Sequence, residues 1–126
     1  MAYLVDTNIV VDVTRGSITA ADYLDGLAGA WSVSTITCLE LLAGARTQRE
    51  TNDLDLVLSG FRTIPPNEAI TRRAYYLMKT YARSHGLQAL DSLIAATAME
   101  EGLTLVTKNR KHFQMIGDLK LDVPNY

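Results

Sequence analysis

The sequence predicts an α/β fold in which a central parallel sheet of four to five strands is flanked by helices on both faces. Short apolar runs alternate along the chain with longer stretches whose apolar residues recur every three or four positions, which is the order strand, helix, strand. Strands that are separated by helices need crossover connections, and these place the strands parallel. No repeat or linker divides the 126 residues, so we expect one domain spanning residues 1–126.

The first half of the chain is predicted to contain two strands and four helices. Apolar runs mark the strands, and amphipathic spacing with a capping or stop residue marks the helices. The predicted elements are a strand at 3–5, helices at 8–14 and 19–27, a strand at 31–34, and helices at 36–45 and 48–58. Gly16 ends the first helix, and Ser17 or Thr19 caps the second.

The second half is punctuated by proline, asparagine and glycine. Pro65 and Pro66 end a strand at 61–64, and Asn67 caps a long helix that runs to about Ser84 before Gly86. The remaining predicted elements are a helix at 89–101, a strand at 103–106, a short helix at 111–115 and an edge strand at 119–123.

Composition excludes several classes of protein. The net charge of −2 excludes a uniformly basic nucleic-acid coat, although it allows a local basic patch. A single cysteine, Cys38, excludes an internal disulfide and a cysteine-built zinc site, which favours a reducing, cytoplasmic location. The longest uncharged stretch is too short to span a bilayer, so we expect no membrane association.

The predicted sheet indicates where the chemistry lies. In open parallel sheets, ligands bind beyond the carboxyl ends of the strands. Asp6 ends the first predicted strand, and Thr107, Lys108 and Asn109 follow the fourth. We therefore expect these residues to lie at one edge of the sheet.

Three acids, Asp6, Glu40 and Asp91, lie in apolar surroundings in the sequence. Glu40 lies within Cys38-Leu39-Glu40-Leu41-Leu42, and Asp91 lies on the apolar face of its predicted helix. Buried carboxylates are unfavourable unless they are paired, and no Lys or Arg stands nearby in sequence. A divalent cation that prefers oxygen ligands, Mg²⁺ or Mn²⁺, resolves the repulsion if the three acids converge, and Asn109 offers one more oxygen.

Structural roles compete with the metal site. Asp6 has the position of an N-cap for the helix that follows it, and Asp91 has that of a cap for a helix beginning at Ser92. Glu40 has no capping role but has Arg46 and Arg49 as candidate partners. Asn109 alone is typical of a turn.

Four segments together resemble the PIN-domain family, and in particular the VapC-type toxins of toxin–antitoxin pairs. They are residues 4–8 (LVDTN), 36–44 (ITCLELLAG), 90–98 (LDSLIAATA) and 105–113 (LVTKNRKHF), in the order and spacing of the family. The resemblance implies a free-standing Mg²⁺- or Mn²⁺-dependent endoribonuclease that forms a homodimer, acts on RNA and is held by a cognate antitoxin.

The resemblance also implies roles for individual residues. Asp6, Glu40 and Asp91 fall on the acidic positions of the family and are the expected catalytic metal ligands. Asn109 falls on a fourth catalytic position that is often Asp in the family. Its neutral amide removes one negative charge, so the resemblance leaves open whether the site binds one metal ion or two. Thr107 falls on the family's hydroxyl position.

Residues around these positions are candidates for contacting RNA. Lys108 and Arg110 flank Asn109 and are expected to neutralise phosphates, and Thr7, Asn8 and Thr107 are further substrate-binding candidates. A second basic stretch, residues 62–83, is equally consistent with a solvated helix face. His85 and His112 lack the spacing of a metal-binding pair and are interpreted as incidental.

Two other functions fit parts of the pattern. An aspartyl phosphate-accepting receiver or phosphatase fits Asp6 and Lys108, but Ile64-Pro65-Pro66 stands where a receiver carries its phosphoacceptor, and Asn8 stands where the phosphatase pattern has a second acid. A catalytically weak module that binds RNA or protein on the same scaffold is favoured only by Asn109.

Overall fold

The computed structural model describes residues 2–126 and builds this part of the chain from five strands and seven helices. In chain order they are β1 (Ala2–Val5), α1 (Thr7–Thr14), α2 (Ile18–Asp25), β2 (Ala30–Ser34), α3 (Thr35–Ala43), α4 (Gln48–Leu58), β3 (Arg62–Ile64), α5 (Glu68–His85), α6 (Ala89–Glu101), β4 (Thr104–Val106), α7 (Arg110–Phe113) and β5 (Leu121–Asp122). Each predicted element is present, with ends that differ by a few residues.

The five strands form one parallel sheet in the order β3-β2-β1-β4-β5. The predicted α/β class is therefore confirmed. Strand β1 is central, and its register with β4 pairs Leu4 with Leu105 and Val5 with Val106. Receiver domains have the strand order 2-1-3-4-5, so this topology does not support the receiver interpretation.

Alternation along the strands divides the interior into two cores. Leu4 and Leu105 face one side, where they pack with buried residues of α5, α6 and α7. Val5 and Val106 face the other side, where buried residues of α1, α2, α3 and α4 cover them. The sheet is thus a middle layer between two layers of helices, as predicted.

Residues with known capping preferences mark the observed ends of several helices. Ser17 and Asn67 cap α2 and α5 by accepting main-chain N–H groups three residues later, at 3.1 and 2.8 Å. Gly86 ends α5 with φ of 70°, a conformation that favours glycine. Within residues 2–126, no helix combines the length and the hydropathy that crossing a bilayer requires.

One alternative interpretation is wrong at a helix start. Helix α6 begins at Ala89 with Gln88 as its N-cap residue, not at Ser92. Asp91 therefore lies inside the first turn of α6 and does not cap it. A carboxylate in the first turn still interacts favourably with the positive end of the helix.

The topology brings two strand ends together. The chain crosses from β1 through β2 to β3 on one side of the sheet, and β4 and β5 lie on the other side of β1. The order thus changes direction between β1 and β4, which is where open α/β sheets form a crevice. Asp6 directly follows β1 and Thr107 directly follows β4, so both lie at this crevice.

Candidate functional site

Asp6 lies at the centre of the crevice and is 4% exposed. Its Oδ1 accepts a hydrogen bond from the N–H of Thr7 at 2.7 Å, so it does cap α1. Its Oδ2 accepts hydrogen bonds from the Thr107 hydroxyl at 2.7 Å and from Asn8 Nδ2 at 3.3 Å. The capping role of Asp6 and its place in the crevice are therefore compatible.

Thr107 organises the loop that follows β4. Its side chain is fully buried, and its Oγ1 accepts hydrogen bonds from the main-chain N–H of Asn109 at 3.0 Å and from Asn8 Nδ2 at 3.4 Å. The Asn109 side chain is exposed and makes no capping bond to α7. Thr107 thus ties the segment that carries Asn109 to Asp6.

Glu40 reaches the same region from α3. This helix begins immediately after β2, with Ser34 as its N-cap, and Glu40 lies in its second turn. Glu40 is half-buried, and its Oε1 accepts a hydrogen bond from the Thr7 hydroxyl at 3.0 Å. Between residues 2 and 126, no ion pair joins Glu40 to Arg46 or Arg49, so the suggested partners are replaced by Thr7.

Asp91 approaches from α6 and has a partner that sequence reasoning missed. Its Oδ2 lies 3.1 Å from Nδ1 of His112 on α7. His112, to which the sequence assigns no role, therefore contacts one of the candidate acids. The two residues are 21 positions apart, and no helical or strand spacing links them.

The three acids influence one another electrostatically. Burial raises the pKa of Asp6, and the nearby charges of Asp91 and Glu40 raise this pKa further, while hydrogen bonds from Thr107 and Thr7 oppose the rise. Burial also raises the pKa of Asp91, and His112 opposes it. The structure thus brings the three predicted acids into one electrostatic neighbourhood.

The donor set fits a hydrated, hard cation. Within residues 2–126, no group of three His, Cys, Asp or Glu side chains is placed so that it could hold a metal ion. Mg²⁺ commonly keeps several waters and is held by only one or two carboxylates plus phosphate oxygens. Two of the acids, Asp6 and Asp91, could hold Mg²⁺ or Mn²⁺ in this way, whereas structural zinc needs four protein ligands.

Lys108 is engaged by α1 and by the end of the chain. Its Nζ lies 2.7 Å from Oδ2 of Asp12, and the Tyr126 hydroxyl donates to the same oxygen at 3.0 Å. The main-chain N–H of Lys108 donates to Asn8 Oδ1 at 3.3 Å. By contrast, Arg110 is exposed, and no ion pair engages it in residues 2–126.

The basic stretch at 62–83 lies largely on α5. Arg72 forms an ion pair with Glu68 in the same helix, and Arg73 forms one with Glu100 of α6. These pairs support the interpretation of a solvated helix face.

A groove of about 640 Å³ extends from Glu40 across α1, α3 and α4. Thr7 and Glu40 line it where it meets the site, and the apolar side chains of Val11, Leu54 and Val57 line it farther along α1 and α4. Its charged lining residues are Arg15, Glu40, Arg46, Glu50 and Asp53. The groove therefore combines apolar and charged surface next to the acidic centre.

Comparison with known proteins identifies relatives along nearly the whole chain. Ribonuclease VapC10 of Mycobacterium tuberculosis is 39% identical over 120 residues, covering 93% of this chain and 90% of that protein. Ribonuclease VapC19 of the same organism is 37% identical over 121 residues, covering 93% and 96%.

Solved structures also include chains that are similar to this one over nearly its whole length. The crystal structure of VapBC2 from Rickettsia felis bound to a DNA fragment from its promoter superposes with a TM-score of 0.87 at 28% identity, over 99% of this chain and 100% of that one. A toxin–antitoxin complex from Klebsiella pneumoniae superposes with a TM-score of 0.80 at 30% identity, over 93% and 94%. The model of the PIN domain matches residues 3–118, so this chain belongs to the PIN-domain family, as its motifs predict.

Proposed function

We propose that this protein is an Mg²⁺- or Mn²⁺-dependent endoribonuclease and the toxin of a toxin–antitoxin pair, acting in the cytoplasm with residues 1–126 as one nuclease domain. The observation that carries the proposal is that Asp6, buried where β1 and β4 end, lies within electrostatic reach of Asp91 and Glu40. Relatives named ribonuclease VapC support the reaction and the biological role.

We assign different catalytic roles to the three acids according to their surroundings. Asp6 and Asp91 are the proposed metal ligands, since burial makes their negative charges unfavourable without a cation. When bound, a divalent ion neutralises charge that develops on the phosphate and lowers the pKa of water. Asn109 replaces a possible fourth carboxylate by a neutral amide, which favours a single ion.

Glu40 is the proposed general base. Its Oε1 accepts the Thr7 hydroxyl hydrogen, which orients the carboxylate and leaves Oε2 to take a proton from the attacking water. Attack by water, and not by the ribose 2′-hydroxyl, leaves a 5′-phosphate and a 3′-hydroxyl on the products.

RNA binding is proposed to use the rim of the site. Arg110 is exposed, is adjacent to Asn109 and forms no ion pair within residues 2–126, so it is available to pair with a phosphate. Asn8 and Thr107 form hydrogen bonds with Asp6 and with each other. We therefore assign them a structural role in the site in addition to their proposed contact with the substrate. Lys108 contributes less charge, because Asp12 neutralises it.

The groove next to Glu40 is the proposed antitoxin site. The relatives of known structure include complexes that are described as VapBC or toxin–antitoxin assemblies. Val11, Leu54 and Val57 provide an apolar floor for a helix, and a basic side chain at its end would reach Glu40. Occupancy of the groove would then block the acids. We also propose a homodimer, as the family resemblance implies.

Cleavage of purified RNA with Mn²⁺, with EDTA, and with the Asp6→Asn variant tests the proposal. We expect cuts only with metal and parent protein, and end analysis should show 5′-phosphates. Cyclic 2′,3′-phosphate ends or undiminished cutting in EDTA would contradict the mechanism. RNA that is bound tightly but never cut, with either metal, would instead favour a binding module.

A further inference from the structure

His112 occupies a fixed position beside the site although it belongs to a four-residue helix. The neighbouring Phe113 is fully buried and packs in the same core as Ile94 and Ala95 of α6. This anchor holds α7 against α6. The imidazole of His112 consequently lies beside Asp91, and both line a small cleft of about 70 Å³.

Within the described residues, the Asp91 carboxylate has fewer hydrogen-bond partners than the Asp6 carboxylate. Asp6 accepts hydrogen bonds from Thr7, Asn8 and Thr107. Among residues 2–126, His112 is the one hydrogen-bond partner of the Asp91 carboxylate. The terminal torsion of an aspartate is broad, so a carboxylate without a partner samples many orientations.

The direction of the hydrogen bond follows from the chemistry of the two groups. An ionised carboxylate accepts hydrogen bonds and cannot donate them. Nδ1 of His112 must therefore carry the hydrogen, whether the ring is neutral or charged. The ring then restrains one oxygen of Asp91 and leaves the other free.

We propose that His112 is a positioning residue for metal binding: its Nδ1–H fixes the Asp91 carboxylate in the orientation that faces the divalent ion. This inference rests on the proposed function, since it takes Asp91 to be a metal ligand. Partners that orient ligands from outside the coordination sphere typically change metal affinity by about 10- to 100-fold when they are removed.

Two substitutions separate the hydrogen bond from the bulk of the ring. His112→Phe keeps an aromatic ring but has no donor, whereas His112→Asn places an amide N–H the same number of bonds from the backbone as Nδ1. His85→Phe is the matched control, because His85 lines the same cleft but its Nδ1 contacts Ser84. Calorimetric titration with Mn²⁺ in the absence of RNA measures affinity, and thermal melting in EDTA verifies folding.

We expect His112→Phe to weaken Mn²⁺ binding about tenfold or more and His112→Asn and His85→Phe to stay close to the parent. Parent-like affinity in His112→Phe would overturn the positioning role and leave the proposed function intact. A parent protein that binds no Mn²⁺ would overturn both.

A measurement without substitutions tests the hydrogen bond itself. Nitrogen-15 spectra of the histidine side chains in metal-free parent protein show which ring nitrogen carries the hydrogen. A hydrogen on Nδ1 of His112 when the ring is neutral is the expected result, and a bare Nδ1 would overturn the inference.

Discussion

The Thr107 hydroxyl donates to Asp6 Oδ2 at 2.7 Å, although 101 positions separate the two residues in the chain. This bond joins the end of the central strand to the end of its neighbour. The Thr107 hydroxyl oxygen also accepts hydrogen bonds from the Asn8 side chain and from the main-chain N–H of Asn109. One buried hydroxyl thus shapes both the acid and the loop beside it.

Replacing Thr107 by Val should impair both folding and catalysis. The change removes the hydroxyl but keeps the shape, so the N–H of Asn109 and Asp6 Oδ2 each lose a buried partner. We expect a loss of about 1–3 kcal/mol in the free energy of unfolding, measured by urea denaturation, together with a large decrease in kcat.

Thr97→Val is the control for this substitution. Thr97 is equally buried, and its hydroxyl donates to Leu93 O within α6. We expect this variant to retain the parent's kcat. Equal losses of activity in the two variants would show that Thr107 has no special role, and recovery in Thr107→Ser would support it.

Asp6→Asn should abolish cleavage while leaving the metal-free protein about as stable, or more stable, at neutral pH. The folded state raises the pKa of Asp6 above the ordinary value of 3.8, so the folded protein holds this proton more tightly than the unfolded chain. The parent therefore loses stability as the pH rises from 3.8 through the raised pKa.

Urea denaturation of parent and Asp6→Asn in EDTA across this pH range measures the effect. We expect the free energy of unfolding of Asp6→Asn, relative to the parent, to increase with pH and then level off. A variant that becomes relatively less stable with rising pH would show that hydrogen bonds to the carboxylate outweigh its burial.

Arg110→Met should weaken RNA binding through charge more than Lys108→Met does. Lys108 is already paired with Asp12 at 2.7 Å, whereas Arg110 takes part in no ion pair within residues 2–126. Each cation that contacts a phosphate contributes about one unit to the salt dependence of binding. Binding of a catalytically inactive Asp6→Asn protein to RNA at several salt concentrations gives this slope for both variants. A larger change with Lys108→Met would reverse the assignment.

Leu54→Glu should weaken binding of the proposed antitoxin. Leu54 is part of the apolar lining of the groove on α4, so a carboxylate there would disrupt the proposed apolar contact. We expect a decrease in affinity of about tenfold or more, measured by calorimetry, with RNA cleavage unchanged. Leu56→Glu is the control, because Leu56 is on the same helix but is 75% exposed and lies outside the groove. Equal effects of the two changes would place the antitoxin elsewhere.

Most of the fold could be predicted from local patterns. Strand β4 follows from its apolar run, and helices α5 and α6 follow from apolar spacing and from asparagine or glycine at their ends. The alternative in which Asp91 caps a helix beginning at Ser92 is wrong, because α6 begins at Ala89, as its apolar pattern predicts. Gln88 at the N-cap makes no side-chain capping bond, so no capping motif marks this start.

The candidate acids could be predicted, but their partners could not. Asp6 and Glu40 are visible as charges in apolar surroundings, which is a local property. The contact of His112 with Asp91 depends on how α7 packs against α6, and the contact of Lys108 with Asp12 depends on how the loop after β4 meets α1. Such tertiary contacts leave no spacing in the sequence.

The central place of β1 has a consequence for synthesis on the ribosome. Strand β1 is flanked by β2 and β4, and β4 is synthesised about a hundred residues after β1. Such long-range pairing is slow to form, because loop closure precedes any favourable contact. A growing chain that has not yet reached Thr107 lacks the hydroxyl that holds Asp6, so the site around Asp6 is completed only after Thr107 has been synthesised.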